Sequence, residues 1–166
     1  MVKKRFLLSL VFVLVLAQID SVAASTGKPN VPPFKLTSLE GKSFTQEDLI
    51  GKVSLIIFWA SWCHVCQEEL PKAHQLHEAM KGKPFQILSI GFGDSKSKIQ
   101  RYVKSHPDVF SFPVLYDVDN RVSAAFGARV TPTLFLFNQH GQLVVPFRGG
   151  GLFEHPKFQK ILTDLF

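Results

Sequence analysis

An apolar run from Val53 to Trp59, broken only by Ser54, stops at Ala60-Ser61 and is followed by Trp62-Cys63-His64-Val65-Cys66. A run of this kind reads as a strand covered on both faces. The residues after it have the spacing of an amphipathic helix, so the two cysteines sit at the helix mouth. Thiols three residues apart there lie about one turn apart, close enough to form a disulfide without backbone movement. The first also sits where the helix dipole and free N–H groups favour a thiolate. That pattern suits reversible dithiol/disulfide chemistry, with Cys63 facing solvent as nucleophile and Cys66, one turn deeper, as resolving thiol. A static bridge is the plainer alternative, but so small a loop contributes little unfolded-state entropy.

The N-terminus reads as an export leader. Lys3, Lys4 and Arg5 precede the apolar stretch Phe6 to Ala17, and Val22-Ala23-Ala24 offers small residues for cleavage. An uncleaved anchor is the alternative, though the apolar stretch is shorter than the roughly 20 residues of a membrane span. The expected organisation is a signal peptide over residues 1–24, a linker over 25–33 and one domain over 34–166. The net charge of +6 belongs partly to the leader. No basic stripe interleaved with aromatics argues for nucleic acid. The chain has 2 cysteines, both in this motif, so they form a working pair in an oxidising compartment rather than a scattered disulfide framework.

Along the chain, Phe34 to Thr37 and Lys42 to Phe44 read as a hairpin through Glu40-Gly41, and Gln46 to Ile50 as a helical turn. The helix after Cys63 extends to about Met80, with Cys66, Leu70, Ala73, Leu76 and Met80 inward and Glu69 on the same side; Pro71 should kink it. Phe85 to Ile90 is a strand. A helix capped by Asp94 or Ser95 follows to Ser105, its Lys96, Lys98, Arg101 and Lys104 forming a solvated face. Phe112 to Tyr116 is a strand and Arg121 to Phe126 a short helix. Leu134 to Phe137 and Leu143 to Phe147 form a hairpin, and Gly149-Gly150-Gly151 links flexibly to a last helix from about His155 to Leu165. Alternating β and α segments with a terminal hairpin predict an α/β fold with a mixed sheet flanked by helices.

The set Phe34-Lys35-Leu36, Leu39-Glu40-Gly41-Lys42, Phe58-Trp59-Ala60-Ser61-Trp62-Cys63, Glu69-Leu70-Pro71, Phe112-Pro113-Val114-Leu115 and Thr131-Pro132-Thr133 resembles the TlpA/ResA-like branch of exported thioredoxin-like proteins. The resemblance spans about residues 30–166 and implies a thioredoxin fold with an N-terminal β-hairpin and a central insertion. It implies a thiol-disulfide oxidoreductase in a Gram-negative periplasm, with no cofactor and no metal. Its partners would be protein thiols and disulfides and a membrane electron donor, and it would act as a monomer. The leading reading is a reductase of the cytochrome c maturation type. The alternatives are a disulfide-introducing oxidase, or a metal-binding or docking module on the same fold.

Residue by residue, the resemblance makes Glu69 a half-buried proton handler for Cys66. Its carboxyl is expected above the ordinary range, and Ile57 stands where many thioredoxins bury an aspartate. Trp62, flanking the pair, is expected to tune its redox potential together with His64. A charged His64 would stabilise the Cys63 thiolate and make the pair more oxidising; a solvent-pointing His64 would do little. Val65 stands where the family often carries proline, which leaves the potential unspecified. Thr131-Pro132 resembles the cis-proline loop that pairs with a substrate strand, with a plain trans turn as the alternative. His74, His77 and His140 are conceivable metal ligands beside the thiols, but the first two read as helix surface.

Overall fold

Strand β3 is buried along its whole length, and the sheet is built around it. The structure, a computed structural model, describes residues 30–166. The expected leader and residues 25–29 of the expected linker lie outside the described residues. The strands are β1 (Lys35–Thr37), β2 (Ser43–Thr45), β3 (Val53–Trp59), β4 (Phe85–Gly91), β5 (Val114–Tyr116), β6 (Thr133–Phe137) and β7 (Leu143–Arg148). The helices are α1 (His64–Ala79), α2 (Lys96–Ser105), α3 (Arg121–Phe126) and α4 (Pro156–Thr163), with a 3-10 turn at Gln46–Leu49. β1 and β2 form a separate two-stranded sheet, and the main sheet has the order β5-β4-β3-β6-β7. This is the expected α/β architecture of a mixed sheet flanked by helices, plus an N-terminal hairpin.

β3 runs parallel to β4, Val53 opposite Phe85 and Trp59 opposite Gly91. It runs antiparallel to β6, Ser54 opposite Phe137 and Phe58 opposite Thr133. Parallel neighbours need a crossover, and α1 supplies it. Alternation along β3 then divides the core. Val53, Leu55, Ile57 and Trp59 pack with Leu70 and Ala73 of α1, Ile99 of α2, and Phe158 and Leu162 of α4. Ile56 and Phe58 face the other way, toward Phe34, Leu36, Phe44, Leu49 and Phe126. The hairpin is tied to the sheet edge by the Leu39 N–H donating to the Val114 carbonyl at 2.8 Å.

Several boundaries differ from the sequence reading. β5 starts at Val114 rather than Phe112, because Pro113 has no N–H for the ladder; its carbonyl accepts from Ser89 instead, at 3.1 Å. The stretch read as a central insertion supplies α2, β5 and α3. α1 continues through Pro71 without ending. Residues 30–31 are not a free linker: the Val31 N–H donates to the Gly141 carbonyl at 2.9 Å. Nor do residues 149–151 behave as a loose link, since the Gly149 N–H donates to the Pro132 carbonyl at 2.9 Å.

Phe58 stands at the centre of the second layer, with ring centroids 5.8 Å from Phe92, 5.3 Å from Phe126 and 6.0 Å from Phe135. Phe58→Ala should lower unfolding free energy by about 3–5 kcal/mol through lost burial and the cavity left behind, measured by denaturant titration.

Candidate active site

The register brings four loops to one end of the sheet. β3 ends at Trp59 beside the end of β4 at Gly91. β6 begins there, with Thr133 opposite Phe58, and β7 ends there, with Arg148 opposite Thr133. The Cys63 loop, residues 92–95, Thr131-Pro132 and residues 149–151 therefore converge. This is the crevice beyond the carboxyl ends of the parallel strands, the usual site position in open α/β sheets.

Cys63 and Cys66 form a disulfide with a Cα–Cα distance of 5.2 Å. Cys63 is the N-cap of α1, and its Sγ accepts the Cys66 N–H at 3.1 Å. On reduction the same N–H and the helix dipole would stabilise a Cys63 thiolate. The cysteine expected to face solvent is only 6% exposed; it remains the more accessible of the two, because Cys66 is 1% exposed. The order of depth is the expected one, but Cys63 is set into the surface rather than standing on it.

The preceding turn is held from the β4–α2 loop. Asp94 Oδ2 accepts both the Ser61 N–H at 2.9 Å and the Ser61 hydroxyl at 2.6 Å. Trp62, 63% exposed, donates its indole N–H to the Gly93 carbonyl at 3.1 Å. Burial acts to raise the Asp94 carboxyl and the Ser61 hydrogen bonds outweigh it, so Asp94 titrates below its ordinary 3.8. The sequence reading placed Asp94 only as a candidate helix cap. Ser95 takes that role, its hydroxyl accepting the Lys98 N–H, while Asp94 turns back to the cysteine loop.

His64 is exposed and its Nε2 lies 3.3 Å from Glu68 Oε1, a carboxylate one turn along α1. Glu69 is 4% exposed, more deeply buried than the half-buried position expected. It is also paired, its Oε1 accepting from Lys72 Nζ at 2.8 Å. Lys72 had no role in the sequence reading; the i, i+3 spacing was the available signal. Gly150 closes over this point. A Cβ there would stand 2.9 Å from Val65 Cγ1 and 3.4 Å from Glu69 Oε1, so the close approach requires glycine.

The Thr131–Pro132 peptide is cis; Pro132 is buried and Thr131 half-buried. The three histidines do not assemble with the thiols. His74 and His77 each place Nδ1 on Ser111 Oγ, at 3.0 and 2.9 Å. His140 lies in the β6–β7 turn, at the opposite end of β3 from the cysteines.

A double-wound mixed sheet with a cysteine pair capping its first long helix defines a thioredoxin-fold protein with a redox-capable site. The AhpC/TSA family model matches residues 28–145, and the chain belongs to that family. Among relatives, the thiol-disulfide oxidoreductase ResA of Bacillus subtilis is 31% identical over 125 residues, covering 75% of this chain and 67% of that one. The structure is similar to a candidate thiol:disulfide interchange protein DsbE from Chlorobium tepidum, with a TM-score of 0.76 and 25% identity, covering 84% of this chain and 98% of that one. It is also similar to MTB DsbF in its mixed oxidized and reduced forms, with a TM-score of 0.73 and 28% identity, covering 84% and 99%.

Asp94→Asn removes a charged acceptor from the cysteine loop and, after discounting for partial exposure, should cost about 1 kcal/mol at neutral pH. Because the folded carboxyl titrates below its ordinary value, this contribution is complete above that value and fades as pH falls through the depressed one. The stability gap between wild type and variant should therefore narrow in acid, as measured by denaturant unfolding across pH.

Proposed function

We propose that this thiol-disulfide oxidoreductase is exported to the periplasm and reduces protein disulfides there, those of cytochrome c maturation among them, drawing electrons from a membrane donor. The observation that carries the reading is the graded pair at the N-terminus of α1. Cys63 receives an N–H and the dipole, and Cys66 sits deeper, about one helical turn before the buried carboxylate of Glu69. The leader pattern supports export.

In the first step the Cys63 thiolate attacks a substrate disulfide. A mixed disulfide forms, and one substrate sulfur leaves as a thiolate and takes a proton. Glu69 then accepts the proton of Cys66, and the Cys66 thiolate attacks Cys63 Sγ. The mixed disulfide breaks and the second substrate thiolate leaves, to be protonated in turn. Two electrons have passed from the protein dithiol to the substrate. A membrane dithiol of lower potential restores the pair by the reverse sequence. Trp62 and Val65, next to the cysteines in sequence, are exposed, as is Val130 at the start of the Thr131-Pro132 loop, and the Thr131 backbone suits an extended substrate segment.

The disulfide-introducing alternative needs His64 charge at Cys63. His64 instead lies against Glu68, so that reading draws no support from the geometry.

Cys66→Ser should accumulate mixed disulfides on Cys63, visible as higher-mass adducts released by reductant; equal trapping by Cys63→Ser through Cys66 would reverse the assignment. Equilibration with glutathione should give a potential near thioredoxin's, about −270 mV. A value near −120 mV, the range of the strong dithiol oxidants, would replace the reductase reading with the oxidase one.

A further inference from the structure

Glu69 is buried, yet only one of its oxygens is engaged. Oε1 holds Lys72 Nζ at 2.8 Å, while Oε2 has no hydrogen-bond partner among the described residues. Lys72 is itself shared, because Nζ also contacts Oε1 of Glu154, in the segment leading into α4. The lysine thus stands between a buried carboxylate and an exposed one. It also lines an open cleft of about 330 Å³ with Leu76, Phe153, Glu154 and Gln159. A lysine–glutamate pair in open solvent contributes little. A cation touching a carboxylate withdrawn from water acts on it far more strongly, since water screens neither fully.

We propose that Lys72 is a positioning residue for disulfide exchange, holding Glu69 as the anion that takes the Cys66 proton, and that Glu154 moderates this hold by competing for the same ammonium. The inference rests on the Glu69 role given above and adds the groups that set it.

The charged groups around Glu69 are few. On α1, Lys72 lies one turn on and Cys66 one turn back, while Glu68 turns out to His64. Glu154 acts from the segment before α4. Residues 149–151 approach without charge, and neither β3 nor β6 carries an ionisable side chain. Arg148, ending β7, is exposed and has no ion pair among the described residues. Hydrogen bonds donated to Glu154 and Glu69 keep the Lys72 ammonium titrating well above its ordinary 10.5. Its charge is therefore constant over the pH range in which thiols and carboxylates titrate.

The two neighbours have opposite signs. Removing the Lys72 cation disfavours the anion at Glu69, so the acid limb of the resolving step moves to higher pH. Removing the Glu154 charge leaves the ammonium undivided, so the limb moves to lower pH. A residue that only braced α1 would produce no such sign reversal.

The test is a pH–rate profile for release of a mixed disulfide formed on Cys63 with a model peptide disulfide. It compares the full protein with Glu69→Gln, Lys72→Met, Lys72→Arg, Glu154→Gln and the Glu69→Gln/Lys72→Met double variant. The Lys72→Met limb should move to higher pH by roughly one unit, with initial attack by Cys63 unchanged. Lys72→Arg should stay near wild type and Glu154→Gln should move the opposite way. In the Glu69→Gln background, Lys72→Met should change nothing. Glu154 is exposed, so Glu154→Gln tests the sign even if Lys72→Met does not fold. If Lys72→Met still shifts the profile without Glu69, or shifts it in the same direction as Glu154→Gln, the inference is overturned. Superimposable wild-type and Glu69→Gln profiles would instead overturn the Glu69 role itself; a Glu69→Gln effect with an inert Lys72→Met would overturn only the part played by Lys72.

Discussion

Every part of the site hangs from β3, a strand hydrogen-bonded along both edges and covered on both faces. A backbone so enclosed has no freedom to slip, because a one-residue shift would exchange its two apolar sets between layers. Its direction relative to β4 and β6 decides the rest. Parallel pairing on one side and antiparallel pairing on the other bring a strand end, a strand start and two returning loops to the same edge.

At that edge, opposed electrostatic environments lie one helical turn apart. The N-terminus of α1 favours negative charge at Cys63 through the Cys66 N–H and the dipole. Burial opposes it at Cys66, next to a carboxylate. Two chemically identical thiols thereby become distinct, the condition for one to attack and the other to resolve. Asp94 and Gly93 hold the loop from one side through Ser61 and Trp62. Residues 149–151 close it from the other, where Gly150 admits the approach to Val65 and Glu69.

Much of the fold was legible because hydrophobic period and breakers agree. The apolar run of β3 reads directly, and α3 runs from Arg121 to Phe126 and stops at Gly127, which adopts the left-handed conformation with φ 69°. The cysteine spacing and the inward side of Glu69 follow from helical geometry alone. The errors arose where a residue's partner is distant in sequence. Asp94 has the local signature of a helix cap, yet its side chain bonds Ser61, 33 residues away. Residues 149–151 read as a flexible link because glycine tracts usually mean freedom; here a side chain at Gly150 would meet Val65, and Gly149 and Gly151 hold positive φ of 86° and 92°.

The sequence by itself determined the strand, the helix that follows it, the cysteines at their junction and the depth order of the two thiols, since all of these depend on local period, spacing and the helix dipole. Only the tertiary structure decided how far Cys63 is sunk, that Glu69 is wholly covered, and which charges surround it. Those properties depend on which loops the sheet register brings together. Lys72 lies one turn from Glu69 in the sequence, but its second contact, to Glu154, exists only because the segment entering α4 packs beside α1, joining residues that local patterning leaves unrelated.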